Sequence, residues 1–171
     1  MKNTKFALAG LALIAGLVSA PLAAAELFIA NDLEVSASVT ETITAGNFKI
    51  LATPEAVVTF DKHEKVAEDG EVFSMRVNSK GSGTPTARAI QFDAKGATEI
   101  TVYALSSSKT DSRTVAIADA KTGEVVAELV VPPNASGDTK VPALKASIPT
   151  AGTYVAYGKS GAIYYYQIIL K

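Results

Sequence analysis

A single histidine, His63, lies in the run Asp61-Lys62-His63-Glu64-Lys65, and its isolation narrows the chemistry open to this chain. Nucleophilic hydrolysis by a triad needs an imidazole set between a nucleophile and a carboxylate, and zinc or iron sites draw on several nitrogen or sulfur ligands. With no second histidine and no cysteine, metal sites built from those residues are excluded. His63 is expected to be a solvated residue in a charged, turn-like segment. Asp61, Glu64, Glu68, Asp69 and Glu71 gather around a turn expected at Asp69-Gly70. Oxygen-rich loops hold calcium, but Lys62 and Lys65 interrupt this cluster and the alternation of a dedicated calcium loop is missing. A solvated turn is the plainer reading, with structural calcium the one cofactor these oxygens could hold. No catalytic residue, metal ligand or required cofactor is assigned, and the chain is not expected to be an enzyme.

The candidate ligand-binding residues are basic or aromatic. Arg76 points away from the Phe73, Met75 and Val77 side of its strand, toward an exposed sheet surface, with Lys80 just beyond. Arg88 shares parity with Ile90 and Phe92, and Arg113 with Val115 and Ile117, so each starts a strand on its core-facing side. An arginine there either caps the end of the fold on a carboxylate or loop carbonyls, or points its planar fork into a ligand groove. Tyr103, Tyr154, Tyr157, Tyr164, Tyr165 and Tyr166 are all the tyrosines, and there is no tryptophan. The last three are adjacent and must project to both faces of one strand. One set belongs to the core, and the other could stack against sugar rings. Tyr103, Tyr157 and Tyr164 are therefore candidates beside Arg76, Lys80, Arg88 and Arg113. Asn134-Ala135-Ser136 matches a glycosylation sequon, a pattern that arises readily by chance.

Strands must carry these groups. Leu33 to Val39 alternates apolar and polar residues, as do Phe73 to Val77 and Ile90 to Phe92, and Val115 to Ala118 and Val125 to Val131 continue the pattern. A period of two, rich in β-branched and aromatic residues, marks half-buried antiparallel strands. Turn chemistry recurs at 78–85, 94–96, 106–112, 121–123, 132–137 and 159–161. The spacing predicts one all-β domain, a single antiparallel sandwich of jelly-roll or Greek-key type. Its last hairpin, Gly152 to Gly158 and Ala162 to Leu170, is apolar on nearly every residue, as a strand buried on both faces, or one facing both the core and a partner, would be.

The first residues set the compartment. Lys2 and Lys5 precede the apolar run Phe6 to Val18, and Ser19 to Ala25 ends in small residues, the order of a secretory signal peptide. The run is shorter than the ~20 residues that span a bilayer. Cleavage after Ala25 divides the chain into a leader, 1–25, and a β-sandwich domain, 26–171, secreted to the extracellular space or periplasm without a membrane anchor. Removing Lys2 and Lys5 from sixteen basic residues leaves fourteen against seventeen acidic ones, a net charge of −3. That balance disfavours nucleic acid as a partner.

Several stretches together resemble a known family. They are Asp69-Gly70-Glu71-Val72-Phe73-Ser74-Met75-Arg76, Gly81-Ser82-Gly83, Ala87 to Phe92, Glu99 to Ser108, Arg113-Thr114-Val115, Ala151-Gly152-Thr153-Tyr154 and Gly161 to Tyr166. In order and spacing, from Leu33 to Lys171, they are similar to accessory domains of secreted bacterial pectate lyases. The resemblance implies a sandwich of carbohydrate-binding-module type that holds an enzyme on plant cell-wall polysaccharide, with acidic pectin read by basic residues. No catalytic domain accompanies it in this sequence.

The expected function is that of a secreted, non-catalytic carbohydrate-binding module for pectin-like polyuronate or another cell-wall polysaccharide, acting alone or with a separate polysaccharide-degrading enzyme. A second reading is a structural or matrix protein of the cell surface that self-associates through an apolar edge strand such as Ile163 to Leu170. A third is a pectate-lyase-associated component that itself degrades polysaccharide.

Overall fold

A strand with one apolar and one polar side buries the apolar side only by closing its sheet against another layer. The computed structural model describes residues 25–33 and 37–171, and the strands in it do this. They are β1 (Glu26–Ile29), β2 (Ala37–Val39), β3 (Ile43–Ala45), β4 (Phe48–Leu51), β5 (Val58–Val66), β6 (Val72–Asn78), β7 (Ala89–Ala94), β8 (Thr98–Ser106), β9 (Arg113–Asp119), β10 (Val125–Val131), β11 (Ala143–Ile148), β12 (Gly152–Gly158) and β13 (Ile163–Leu170), with a 3-10 turn at Ala30–Asp32. The first sheet runs β11-β8-β13-β6-β5-β2, with β1 also on β13, and the second runs β10-β9-β12-β7-β4-β3. All named strand pairs are antiparallel. This is the expected all-β sandwich. Among the described residues no helix is long and apolar enough to cross a membrane.

The main core lies between the sheets. Met75, Val77, Ile100, Val102, Ile163, Tyr165 and Ile168 from the first sheet meet Phe48, Ile50, Ile90, Phe92, Val115, Ile117 and Tyr154 from the second. Phe28, Phe48, Phe92 and Tyr154 form a chain of rings with successive centroids 5.7, 6.2 and 6.1 Å apart. A second apolar cluster, Ala67, Phe73, Tyr103, Leu105, Val141 and Tyr166, has the opposite parity on β8 and β13 and so lies on the outer side of the first sheet. The tip of the β5–β6 hairpin and the segment before β11 cover it. Ala67 bridges to Val141, the Glu68 amide donates to the Val141 carbonyl at 3.0 Å, and Lys65 Nζ donates to the Ser136 and Gly137 carbonyls, each at 2.9 Å.

To reach over the outer face, β6 must leave its neighbour. It pairs with β13 only through Tyr164–Asn78 and Tyr165–Val77. Beyond that point β1 takes the place beside β13, with Ile29 opposite Gln167 and Glu26 opposite Leu170. Asn31 joins the separated edges. Its Oδ1 accepts from the Ser74 and Met75 amides at 2.8 and 3.1 Å and from the Ser74 hydroxyl at 3.2 Å, while Nδ2 donates to the Val72 carbonyl at 3.2 Å. One side chain thus stands in for strand pairing that divergence removes.

Three details differ from the sequence reading. β12 and β13 are not a hairpin: they belong to different sheets, and Gly158 to Gly161 arches between them. A side-chain carbon on Gly158 would lie 2.6 Å from the Gly161 carbonyl oxygen, so the arch closes only with glycine there. β13 is also central in its sheet, flanked by β8 and by β6 and β1, so Ile163 to Leu170 cannot be the edge that recruits another copy. Leu33 lies at the end of the 3-10 turn rather than in a strand. The leader up to residue 24, and residues 34–36 of the first expected strand, fall outside the described residues.

The Asn31 clasp makes a testable claim. Asn31→Ala should lower stability by about 0.5–1.5 kcal/mol in urea unfolding, the net scale for hydrogen bonds that water can partly replace. Asn31→Asp keeps the acceptor and should lose less.

Candidate functional site

The groups on the outer face of the first sheet are brought together by a misregistration. The β5–β6 hairpin closes through Glu68 to Gly70, and Gly70 takes the left-handed conformation with φ 95°. Near the turn Val66 pairs with Val72 and Lys65 with Phe73; carried on regularly, this register would set Lys62 against Arg76. An extra residue between Lys62 and Lys65 shifts it, so that Asp61 faces Arg76 instead. Arg76 Nε and Nη2 then donate to the two carboxylate oxygens of Asp61 at 2.6 and 3.1 Å. The same guanidinium lies 3.8 Å from the centroid of the Tyr164 ring, a cation–π contact.

His63, at the bulge, completes the group. Its Nδ1 shares a 2.8 Å hydrogen bond with the Tyr166 hydroxyl. Its ring lies 5.5 Å from that of Tyr164 and 5.9 Å from that of Tyr166. Tyr166 is fully buried and stacks 5.2 Å from Phe73, so His63 satisfies a phenol that would otherwise be enclosed without a partner. His63 is therefore half-buried in a strand, not solvated in a turn. Arg76 faces outward as its parity requires, but its side chain is only 14 % exposed, against 37 % for Asp61.

Burial, helped by the charges of Arg76 and Lys65, pulls the His63 imidazole down to about 4. Burial also opposes the charge of Arg76, but hydrogen bonding to Asp61 and the Asp61 charge together outweigh it, and the guanidinium is held above its ordinary value. Burial lowers Lys65, with Asp138 acting the other way. Tyr103 is raised to about 12 by burial and by its hydrogen bond to Asp69.

The other candidates are scattered. Arg88 packs on Gly81 at one end of the sandwich and donates to the Val57 and Glu55 carbonyls at 3.4 and 3.2 Å. Arg113 donates through Nη1 to the Ser107 hydroxyl and the Ala162 carbonyl at 2.7 and 2.6 Å. Its guanidinium occupies the space a side chain on Gly161 would need. Tyr103 is 6 % exposed, lies edge-on to Phe73 and donates to Asp69, so it offers no face to a sugar. Tyr157 is half-buried on the outer side of the second sheet beside Ala89 and Val155. Lys80 is exposed, forms no salt bridge among the described residues, and holds φ 59° with its amide donating to Asn78 Oδ1. Of the seven candidates, only Arg76 and Tyr164 touch each other in the outer-face cluster. Asp61 and His63 join them there, and the sequence reading had assigned neither to binding. Only the antiparallel pairing across Gly70 could have suggested Asp61, and the bulge obscures it. Asp61 is committed to Arg76 and Asp69 to Tyr103. Among the described residues no three His, Cys, Asp or Glu side chains converge as a metal site requires.

No family model matches the chain, and no curated protein does. Among solved structures, it is similar to a family 6 carbohydrate-binding module studied for its binding sub-sites, at 12% identity and TM-score 0.45, over 85% of this chain and 92% of that one. It is also similar to a family 6 module from Clostridium stercorarium in complex with cellobiose, at 11% identity and TM-score 0.38, over 85% and 92%. A third is the K1 cleaved adhesin domain of Lys-gingipain from Porphyromonas gingivalis W83, at 12% identity and TM-score 0.36, over 86% and 98%.

The lowered His63 predicts an acid-sensitive fold. Between pH 6.5 and about 4 the unfolded chain binds a proton that the folded chain does not, so stability falls as pH drops through this window. The loss should be of order 1–3 kcal/mol after solvent screening. His63→Gln, whose side-chain oxygen can still accept a hydrogen bond from the phenol, should remove that slope in urea unfolding curves from pH 7 to 4. The carboxylates of Asp69 and Glu26, both lowered, act at more acid pH.

Proposed function

We propose that this chain is a secreted, non-catalytic domain that binds polysaccharide on the outer face of its first sheet. The observation that carries the reading is the cluster of Asp61, Arg76, Tyr164 and His63, held on rigid strands by a register shift. It combines a carboxylate acceptor, a guanidinium donor and an aromatic side chain within one patch. Such a set matches vicinal hydroxyls on an apolar sugar ring: one hydroxyl donates to the carboxylate, its neighbour accepts from the guanidinium, and C–H groups rest on the aromatic edge.

The same geometry favours hydroxyl recognition over polyuronate recognition. Reading acidic pectin calls for several unpaired cations acting together. Arg76 has its charge paired with Asp61 while keeping N–H groups for a hydroxyl, and Arg88 and Arg113 donate to loop carbonyls at the ends of the sandwich, which leaves Lys80 as the candidate cation without a charge partner among the described residues. Binding should therefore depend weakly on salt.

Affinity gels loaded with neutral glucans, xylans, de-esterified pectin and methyl-esterified pectin test this directly. Retardation by a neutral polysaccharide is expected, little changed between low and physiological salt. Asp61→Asn and Tyr164→Ala should each weaken it about tenfold, near the loss of one charge-assisted hydrogen bond. Lys121→Ala, on the β9–β10 turn, should leave it unchanged. Retardation by de-esterified pectin alone, lost in moderate salt, would favour the polyuronate version. If no glycan retards the folded chain, the reading fails.

A further inference from the structure

The main core contains one polar group without a partner. Tyr165 is 1 % exposed, and its hydroxyl makes no hydrogen bond. Phenylalanine would fill the same space without the cost of an enclosed, unsatisfied hydroxyl. Tyr165 borders a narrow crevice between the two sheets. Val58, Val77 and Ser79 line it from the first sheet, Ile50, Ala89 and Ile90 from the second, and Arg88 lies beside them. As it stands the gap is too narrow to admit a water molecule.

Arg88 is held there under strain and by weak bonds. Its backbone is left-handed, with φ 50°, and Lys80 at the other end of the same loop has φ 59°; these are the only non-glycine residues so placed among the described residues. Side chains with a Cβ resist that conformation, so such positions mark places where the surrounding structure imposes it. The loop packs so tightly that a side-chain carbon on Gly83 would lie 2.5 Å from the Arg88 carbonyl oxygen. Yet the guanidinium's hydrogen bonds, at 3.4 and 3.2 Å, are long beside those of Arg113, at 2.7 and 2.6 Å. The backbone of Arg88 is pinned while its head group is lightly held.

We propose that the Arg88 side chain is the lid of a small binding pocket with the Tyr165 hydroxyl at its floor, and that the pocket takes a hydroxymethyl or diol group of a saccharide when the guanidinium lifts from its two carbonyls. The lining fits that class: Ile50, Val58, Val77 and Ile90 meet C–H groups, and the phenol supplies one hydrogen bond. The displaced guanidinium stays at the rim, where it can donate to neighbouring hydroxyls. The naming of a saccharide rests on the function proposed above; the pocket does not.

Ethylene glycol, a minimal diol, is the probe. In nitrogen-15 NMR titrations of the mature chain, the amides of Ser79, Ala89 and Ile90 should shift saturably. Arg88→Gly, whose backbone accepts a positive φ, removes the lid and should bind glycol at least tenfold more tightly. Tyr165→Phe should abolish the saturable shifts while melting at the same temperature or higher. A lower melting temperature for Tyr165→Phe would mean that the hydroxyl already has a partner, and would overturn the proposal. So would persistence of the shifts in that variant, or their absence in Arg88→Gly. Glycol saturation without retention on any polysaccharide would keep the pocket and discard the carbohydrate reading. Retention on a polysaccharide without glycol saturation would discard only the pocket.

Discussion

Strand β13 is apolar on both sides, and much of the remaining architecture follows from the need to cover both. Ile163, Tyr165, Ile168 and Leu170 face the inter-sheet core, while Tyr164, Tyr166 and Ile169 face the other way. Each large side chain taken out of water contributes about 1.5–3 kcal/mol, so an uncovered outer face would forfeit several such terms. The fold covers it by drawing the β5–β6 tip and the segment before β11 across β8 and β13. That movement pulls β6 off β13, opens a slot that β1 fills, and makes Asn31 necessary as a bridge. It also requires Tyr166 to find a partner under the cover, which His63 provides. The half-buried side chains of Asp61, Arg76 and Tyr164 lie where this cover ends.

The arginines show how a chain without disulfides secures its loops. Arg113 ties the β8–β9 loop to the β12–β13 arch, Arg88 ties the β6–β7 loop to the segment before β5, and Arg76 ties β5, β6 and β13 together. A guanidinium suits this because its planar fork serves several acceptors while its stem packs. The three ties differ in strength. Arg76 has a carboxylate and an aromatic ring, and Arg113 has two short bonds and a glycine shaped to receive it. Arg88 has two long bonds and a strained backbone, which is why the end of the sandwich beside it, with an unsatisfied phenol behind, is the part of the core able to open.

Much of the strand pattern was legible along the chain because side-chain alternation is local. Ile90 and Phe92, Val115 and Ile117, and Leu129 and Val131 are buried as their parity requires. Parity also placed Arg76 outward and set Arg88 and Arg113 at the strand starts. It could not show that β12 and β13 lie in different sheets, since two alternating strands separated by Lys159-Ser160-Gly161 read alike whether they pair or face one another. Nor could it reveal the bulges at Lys62–Lys65 and Tyr165–Gln167, which shift the register by one residue and leave composition untouched. His63 was misjudged for this reason. A histidine between lysines and a glutamate looks solvated until the bulge turns it onto Tyr166.

From the sequence alone came the fold class, too little histidine and cysteine for a metal site of those ligands, and the apolar character of both sides of the last strand, because these depend on residue type and on period. The tertiary structure alone decided which polar groups meet. Asp61 and Arg76 are fifteen residues apart, and His63 and Tyr166 one hundred and three. The Tyr165 hydroxyl is an orphan only because of what four other strands and one loop place around it. Hydrogen bonds and charge pairs act over a few ångströms, so a one-residue shift in pairing decides whether they form, and that shift is set by how the whole sheet is covered.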